Sequence, residues 1–205
     1  MGHNPARPPV SHMRQIDNLV MSIPQPPSET AHMSHHDIHS IDLADTSLLG
    51  ALLALNNAHA KELSWLPPEK FAHLIGQAFL ARRIGNADAF LLAFDQNADY
   101  DSENFIWFRS RYEHFVYVDR VAVAPAARGH GHARRLYDDL FEHARRAGQE
   151  RIVCEVNEKP PNPASDAFHA AMGFMKVGYA TLQGEEKIVG YFARELSAPS
   201  ATSQA

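Results

Sequence analysis

The chain is poor in several things, and each shortage removes a class of function. Its 205 residues include one cysteine, Cys154, so no internal disulfide can form, and that fits a reducing compartment. Cys154 lies in the apolar run "RIVCEV" and reads as a small core residue rather than a reactive thiol. No apolar stretch reaches the ~20 residues needed to span a bilayer. The N-terminus has no charged segment leading into an apolar one, so no secretory signal is expected and the chain is placed in the cytoplasm. Excess positive charge is missing too: the formal net charge is −5, which argues against nucleic acid or an anionic membrane as a partner.

What is present is enough for a sizeable core, since 45% of the residues are hydrophobic. Residues 1–35 are rich in proline and polar side chains and are expected to be disordered, as is the tail 197–205. One domain is expected over 36–196. His32, His35, His36 and His39 are close in sequence, yet no cysteine or carboxylate accompanies them at ligand spacing, and no metal is expected.

Within the domain, "HDIHSIDL" (36–43) alternates like a short strand. Asp45 is placed to cap a helix in which Leu48, Leu52, Leu55 and His59 share a face. Pro67 and Pro68 break that helix, and "PPEKFAHLIGQAFLARRI" restarts one with proline in its first turn. "DAFLLAFD" (88–95) reads as a buried strand. The passage 104–125 is too long for one strand and is divided near 110–113 into a hairpin. A helix from about Gly129 to Ala147 follows, with Ala133, Leu136, Leu140 and Ala144 inward. Then come the strand 151–156 and a short helix capped by Asn162 and stopped by Gly173. A hairpin around Gly184 ends the domain. The order is β-α-α-β-β-β-α-β-α-β-β, an α/β domain with one mixed central sheet.

The chemistry is concentrated in "PAARGHGHARRLYDDL" (125–140), where two glycines and Arg128, Arg134 and Arg135 flank a strand-to-helix turn. Glycines let backbone N–H groups approach a ligand, and a helix start offers unpaired donors and the positive end of its dipole. Together they suit an anion such as a pyrophosphate. The segment lacks the Gly-Lys-Ser/Thr ending of a P-loop and the third glycine of a dinucleotide fingerprint. A plain glycine turn with solvated arginines is the alternative. His130 and His132 alone supply too few ligands for a metal.

"VDRVAVAPAARGHGHARRLYDDLFEHA" resembles the acetyl-CoA-binding segment of the GNAT superfamily of N-acetyltransferases. There an apolar strand ends in Val-x-Pro and an Arg-x-x-Gly-x-Gly/Ala loop opens the next helix. Here the loop is Arg128-Gly129-His130-Gly131-His132-Ala133. A second block of the family, Asn, a small residue, Tyr and Gly-Phe, is matched by Asn162, Ser165, His169 and Gly173-Phe174 at the same offsets. The resemblance covers residues 36–196 and extends to one uncharacterised bacterial branch.

It implies a sheet with a V-shaped cleft between the fourth and fifth strands and acetyl-CoA as cosubstrate. The amides from Arg128 to Ala133, including Gly129, His130, Gly131 and His132, would hold the pyrophosphate. Val121, Ala122 and Val123 would supply the amide that polarises the thioester, and Asn162 and Ser165 would meet the coenzyme arm. Asp119 is read as alternating with Val121 and Val123 on one side of its strand, and Glu155 lies on the neighbouring strand. Either carboxylate is a candidate base, and pairing of the carboxylate with Arg120 or Arg111 is the alternative.

His169 stands where the family often has a tyrosine that protonates the leaving thiolate. It is a candidate acid, a hydrogen-bond donor to sulfur, or helix packing. Asn56, His59, Glu62, Trp65, Tyr100, Asp101 and Asn104 are weaker candidates for acceptor contact. The function implied is acetyl transfer to the amine of a small molecule or peptide in a ternary complex, with Cys154 unneeded. The rivals are a non-catalytic acetyl-CoA sensor or interaction module and a different acyl donor. Homodimers are common in the superfamily, so a homodimer is admitted as a partner state.

Overall fold

The computed structural model describes residues 1, 38–182 and 187–196. The expected tails, His32, His35, His36 and the turn at Gly184 lie outside those residues. Seven strands form one sheet in the order β1-β2-β3-β4-β5-β7-β6. They are β1 (Ile38–Ser40), β2 (Leu80–Ile84), β3 (Ala89–Asp95), β4 (Phe115–Val123), β5 (Arg151–Lys159), β6 (Met175–Thr181) and β7 (Ile188–Glu195). Helices α1 (Thr46–Ala58), α2 (Ala60–Leu63), α3 (Pro68–Gln77), α4 (Glu103–Arg109), α5 (His132–Arg146) and α6 (Pro163–Ala171) connect them.

Residues of α1, α3 and α4 share one core with Phe90, Leu92, Phe94, Phe115, Tyr117 and Val153. Those of α5 share the other with Leu91, Val116, Val118, Ile152 and Cys154. Alternation along β3 and β4 sends successive side chains to opposite faces, so both faces of the sheet are buried at its centre, while β6 at the edge is largely exposed. Every strand pair is antiparallel except β4 and β5. That parallel ladder joins only Phe115–Tyr117 to Arg151–Val153. Beyond it the two strands continue without pairing, which is the expected cleft between the fourth and fifth strands.

Both expected caps form. Asp45 accepts from the Leu48 N–H at 2.9 Å, and Asn162 accepts from the Ser165 N–H at 3.2 Å. Pro68 occupies the first turn of α3.

Three local expectations need correction. The helix begun at Pro68 stops at Gln77, and residues 80–84 are β2, paired with β3 from Leu80↔Ala93 to Ile84↔Ala89. Partnership across the Gly85 turn overrides local helical pattern here. Residues 103–109 are helix α4, not a strand. Phe105 and Phe108, three residues apart, both bury completely on one helical face. These two changes offset each other, so the strand total is as expected. Finally, α5 starts at His132 rather than Gly129, because Gly129 and Gly131 are left-handed and cannot belong to a right-handed helix, and residues 125–127 form a separate 3-10 turn.

Candidate active site

The glycine loop has the backbone its composition demands. Gly129 has φ +80° and Gly131 φ +73°, both left-handed. Gly131 is the N-cap of α5 and offers no side chain to the first-turn N–H groups. A Cβ on either glycine would meet nothing within 4 Å, so the space over the loop is open. His132 Nδ1 is buried with no hydrogen-bond partner among the described residues. Arg128 is exposed and borders the cleft. Open space, uncapped donors and a guanidinium fit a diphosphate. His130 Nδ1 lies 3.3 Å from the Ala127 carbonyl, which ties that ring to the preceding turn. No group of three metal-ligating side chains occurs among the described residues.

Where β4 and β5 part, a cleft of about 480 Å³ opens. It brings together Asp119, Val121, Val123, Arg128, Ala133, Glu155, Asn162, Ser165 and His169, all singled out from the sequence. Ala122 faces the opposite core at 5% exposure, so only its main chain could serve a ligand. Gly129, His130, Gly131 and His132 form the loop beside the cleft and are not part of its lining.

The two carboxylates differ sharply. In the register of β4 with β3, Ala93 faces Val118 and Leu92 faces Arg120, so Asp119 is an extra residue in a β-bulge. The expected alternation of Asp119 with Val121 and Val123 is therefore broken. Those valines pack toward the α5 core, whereas Asp119 accepts from the Tyr100 hydroxyl at 2.6 Å, and Tyr100 packs against the opposite core. Asp119 also takes the Arg120 Nε–H at 2.5 Å. Arg120 in turn donates to Asn56 Oδ1 at 2.7 Å and to the Leu63 carbonyl at 3.3 Å. Asp119 is thus the paired carboxylate, committed to a buried network.

Glu155 Oε2 is buried with no hydrogen-bond partner among the described residues. Burial drives its carboxyl up to about 7, the Tyr117 hydroxyl beside it pulls the other way, and the Asp119 charge adds to the rise. A carboxyl that loses its proton near neutrality, in a cleft and with a free oxygen, is suited to take a proton from an amine.

His169 is 4% exposed. Its Nδ1 lies 2.9 Å from the Ser165 carbonyl and 3.2 Å from the Ser165 hydroxyl, and its Nε2 lies 2.8 Å from the Tyr137 hydroxyl. Burial lowers its pKa, so the ring is neutral. A carbonyl can only accept, so Nδ1 carries the proton in that pairing and Nε2 accepts from Tyr137. Both ring nitrogens are engaged within the protein.

Cys154 lines the same cleft, and burial pushes its thiol well above the usual range. Among the weaker candidates, His59 and Glu62 border the cleft and Asn56 lies in the Arg120 network. Asn104 accepts from the Tyr191 hydroxyl at 3.0 Å. Trp65 is 64% exposed and is not part of the lining. Tyr100 and Asp101 line a second hollow with α3. Sequence reasoning missed Tyr137 and Tyr191, whereas the pairing of Asp119 with Arg120 is the alternative it offered. The "RRLY" spacing after the glycine loop placed Tyr137 one residue beyond an inward leucine, which was the one available signal for it.

The acetyltransferase (GNAT) family model matches residues 57–174. No curated protein matches the chain by sequence. Among solved structures, it is similar to the ribosomal-protein-S18-alanine N-acetyltransferase of Escherichia coli at 17% identity and TM-score 0.56, over 80% of this chain and 96% of that one. The ribosomal-protein-alanine N-acetyltransferase of Brucella melitensis aligns at 22% identity and TM-score 0.58, over 78% and 99%. The protein yncA of Salmonella typhimurium, solved with its cofactor acetyl-CoA, aligns at 20% identity and TM-score 0.57, over 82% and 98%.

Proposed function

The chain belongs to the acetyltransferase (GNAT) family and is an acyltransferase by that membership, and from this premise we propose that it moves the acetyl group of acetyl-CoA to a primary amine by direct attack in a ternary complex. The observation that carries the reading is the Glu155 carboxyl, with one oxygen unpartnered, in the cleft that opens as β4 leaves β5.

The cosubstrate supplies an activated acetyl group as a thioester. The amides of Arg128 to Ala133 hold its pyrophosphate at the start of α5, with Arg128 adding charge. Main-chain groups of Val121, Ala122 and Val123 face the acyl end, and Asn162 and Ser165 line the arm's path. Glu155 takes a proton from the attacking ammonium, since a free alkyl amine has a pKa of about 10 and is almost wholly protonated at neutral pH. Asp119 serves through Arg120 and Tyr100 to hold the bulge beside Glu155. The amine belongs to a small molecule or a peptide, and the site works in the cytoplasm.

One observation favours a second reading, an acetyl-CoA sensor without turnover: His169 has both nitrogens occupied and is no free acid. Calorimetry with coenzyme A and acetyl-CoA, together with thiol release across a panel of amines, separates the two. Binding with thiol release on an amine supports transfer. Binding with no release on any amine supports the sensor, and no binding at all overturns both.

A further inference from the structure

We propose that Tyr137 gives the proton to the departing thiolate and that His169 and Ser165 are positioning residues behind it, a deepening that rests on the acetyl-transfer reading above.

The Tyr137 side chain comes from α5, a different helix from the one that carries His169. Its ring is held edge-on by Phe141, Phe168 and Phe174, at centroid distances of 5.9, 5.3 and 5.9 Å. Those contacts leave the hydroxyl in one place, 2.8 Å from His169 Nε2. Tyr137, His169 and Ser165 all border the cleft. Cys154 and Glu155 of β5, just past its ladder with β4, line the same cleft. The phenol therefore borders the cleft that opens where the two strands part.

Two proton arrangements can be drawn for the chain Ser165–His169–Tyr137, the first favoured at rest because the second turns an Nδ1 lone pair toward the Ser165 carbonyl. In one, Nδ1–H donates to the Ser165 carbonyl and the Tyr137 O–H donates to Nε2. In the other, the Ser165 hydroxyl donates to Nδ1 and Nε2–H donates to the Tyr137 oxygen. Only the second frees the Tyr137 O–H for another acceptor while an N–H stands ready to support the phenolate. A serine with both a carbonyl and a hydroxyl within reach of one ring nitrogen makes the exchange available without moving a side chain.

The step balances. The carbon–sulfur bond breaks with its electron pair on sulfur, the Tyr137 O–H bond breaks, and its proton forms the S–H bond. The Nε2 proton passes to the phenolate oxygen as Nδ1 takes the Ser165 hydroxyl proton, which water replaces. An ammonium acceptor loses two protons on becoming an amide. One offsets the proton given to sulfur and the other is released.

The test compares wild type with Tyr137→Phe. Coenzyme A affinity by calorimetry is expected to stay within about twofold, while kcat with acetyl-CoA falls about 100-fold. With an aryl thioester of acetate, whose thiolate leaves without needing a proton, the same variant loses less than about threefold. Ultraviolet titration of the thiolate of bound coenzyme A is expected to need a higher pH in Tyr137→Phe, because the hydroxyl that supports the anion is gone. Unchanged kcat, equal losses with the two donors, or an unmoved thiolate titration would each overturn the assignment. If Tyr137→Phe fails to fold, Ser165→Ala decides: a loss of about tenfold confined to acetyl-CoA upholds the relay, and no such difference between donors rejects it. A wild type that binds no coenzyme A or acetylates no amine refutes the acetyl-transfer reading instead.

Discussion

Asp119 and Arg120 are adjacent on one strand and yet form an ion pair, with Arg120 Nε 2.5 Å from Asp119 Oδ2 and both side chains 5% exposed. Neighbours on a regular strand point to opposite faces. The bulge at Asp119 removes that constraint and turns both groups toward the Tyr100 and Asn56 side of the sheet. One extra residue thereby decides which carboxylate is neutralised and which remains open for chemistry.

Truncating Arg120 tests the pair. Arg120→Met leaves the Asp119 carboxylate buried with Tyr100 alone, and is expected to destabilise the fold by about 3–5 kcal/mol. Asp119→Asn combined with Arg120→Met should recover a large part of the loss, because no buried charge is then stranded. Urea unfolding of the single and double variants measures both.

Glu155 sets a pH dependence in activity. The deprotonated carboxylate is the base, so kcat/KM rises with pH through about 7, where burial has placed its pKa. Glu155→Gln is expected to lower kcat about 100- to 1000-fold and to abolish that limb. A rate profile for the two proteins, taken with one amine, is the measurement.

The same group makes stability depend on pH in the opposite direction to a salt-bridged acid. Its pKa is raised from 4.5 to about 7 on folding, so the folded chain holds the proton more tightly. The stabilisation is full below about 4.5 and is lost as the pH rises through 7. Glu155→Gln should therefore melt higher than wild type above pH 7, with the gap closing below pH 4.5. Thermal melts across that window check the sign.

Gly131 is constrained by its backbone and by the open space over it. Gly131→Ala forces an L side chain to φ +73° and is expected to cost about 1 kcal/mol of stability. The added methyl enters the space assigned to the diphosphate, and affinity for coenzyme A should fall about tenfold. Calorimetry and thermal melting report the two effects separately.

Gly178 on β6 underlies Trp107 of α4. A Cβ there would lie 2.7 Å from Trp107 Cζ2 and 2.9 Å from Cη2. Trp107 stacks on Tyr191 at 4.2 Å, and Tyr191 donates to Asn104. Gly178→Ala is expected to displace the indole, shift tryptophan fluorescence and cost about 1–3 kcal/mol.

The parts of this molecule legible in the sequence were those fixed by local chemistry. Asp45 and Asn162 cap the helices they were expected to cap, and Gly129 and Gly131 adopt the conformation their residue type permits. What stayed hidden depends on partners distant in the chain. Leu80 to Ile84 become a strand because β3 lies beside them, and the dense aromatics of 104–108 concealed a helical repeat behind a strand-like composition. The Tyr137–His169 bond joins residues 32 positions apart, and the bulge at Asp119 shows only in its register against Leu92 and Ala93. Neither leaves a periodicity to read.

Among the described residues, three rungs of parallel ladder are all that stitch β1–β4 to β5–β7 within the sheet. In backbone pairing the sheet is two panels on a short seam, with the unzipped edges on either side of the gap and the two cores spanning both. A guest whose extended arm hydrogen-bonds to both edges would become a borrowed strand and complete the plate.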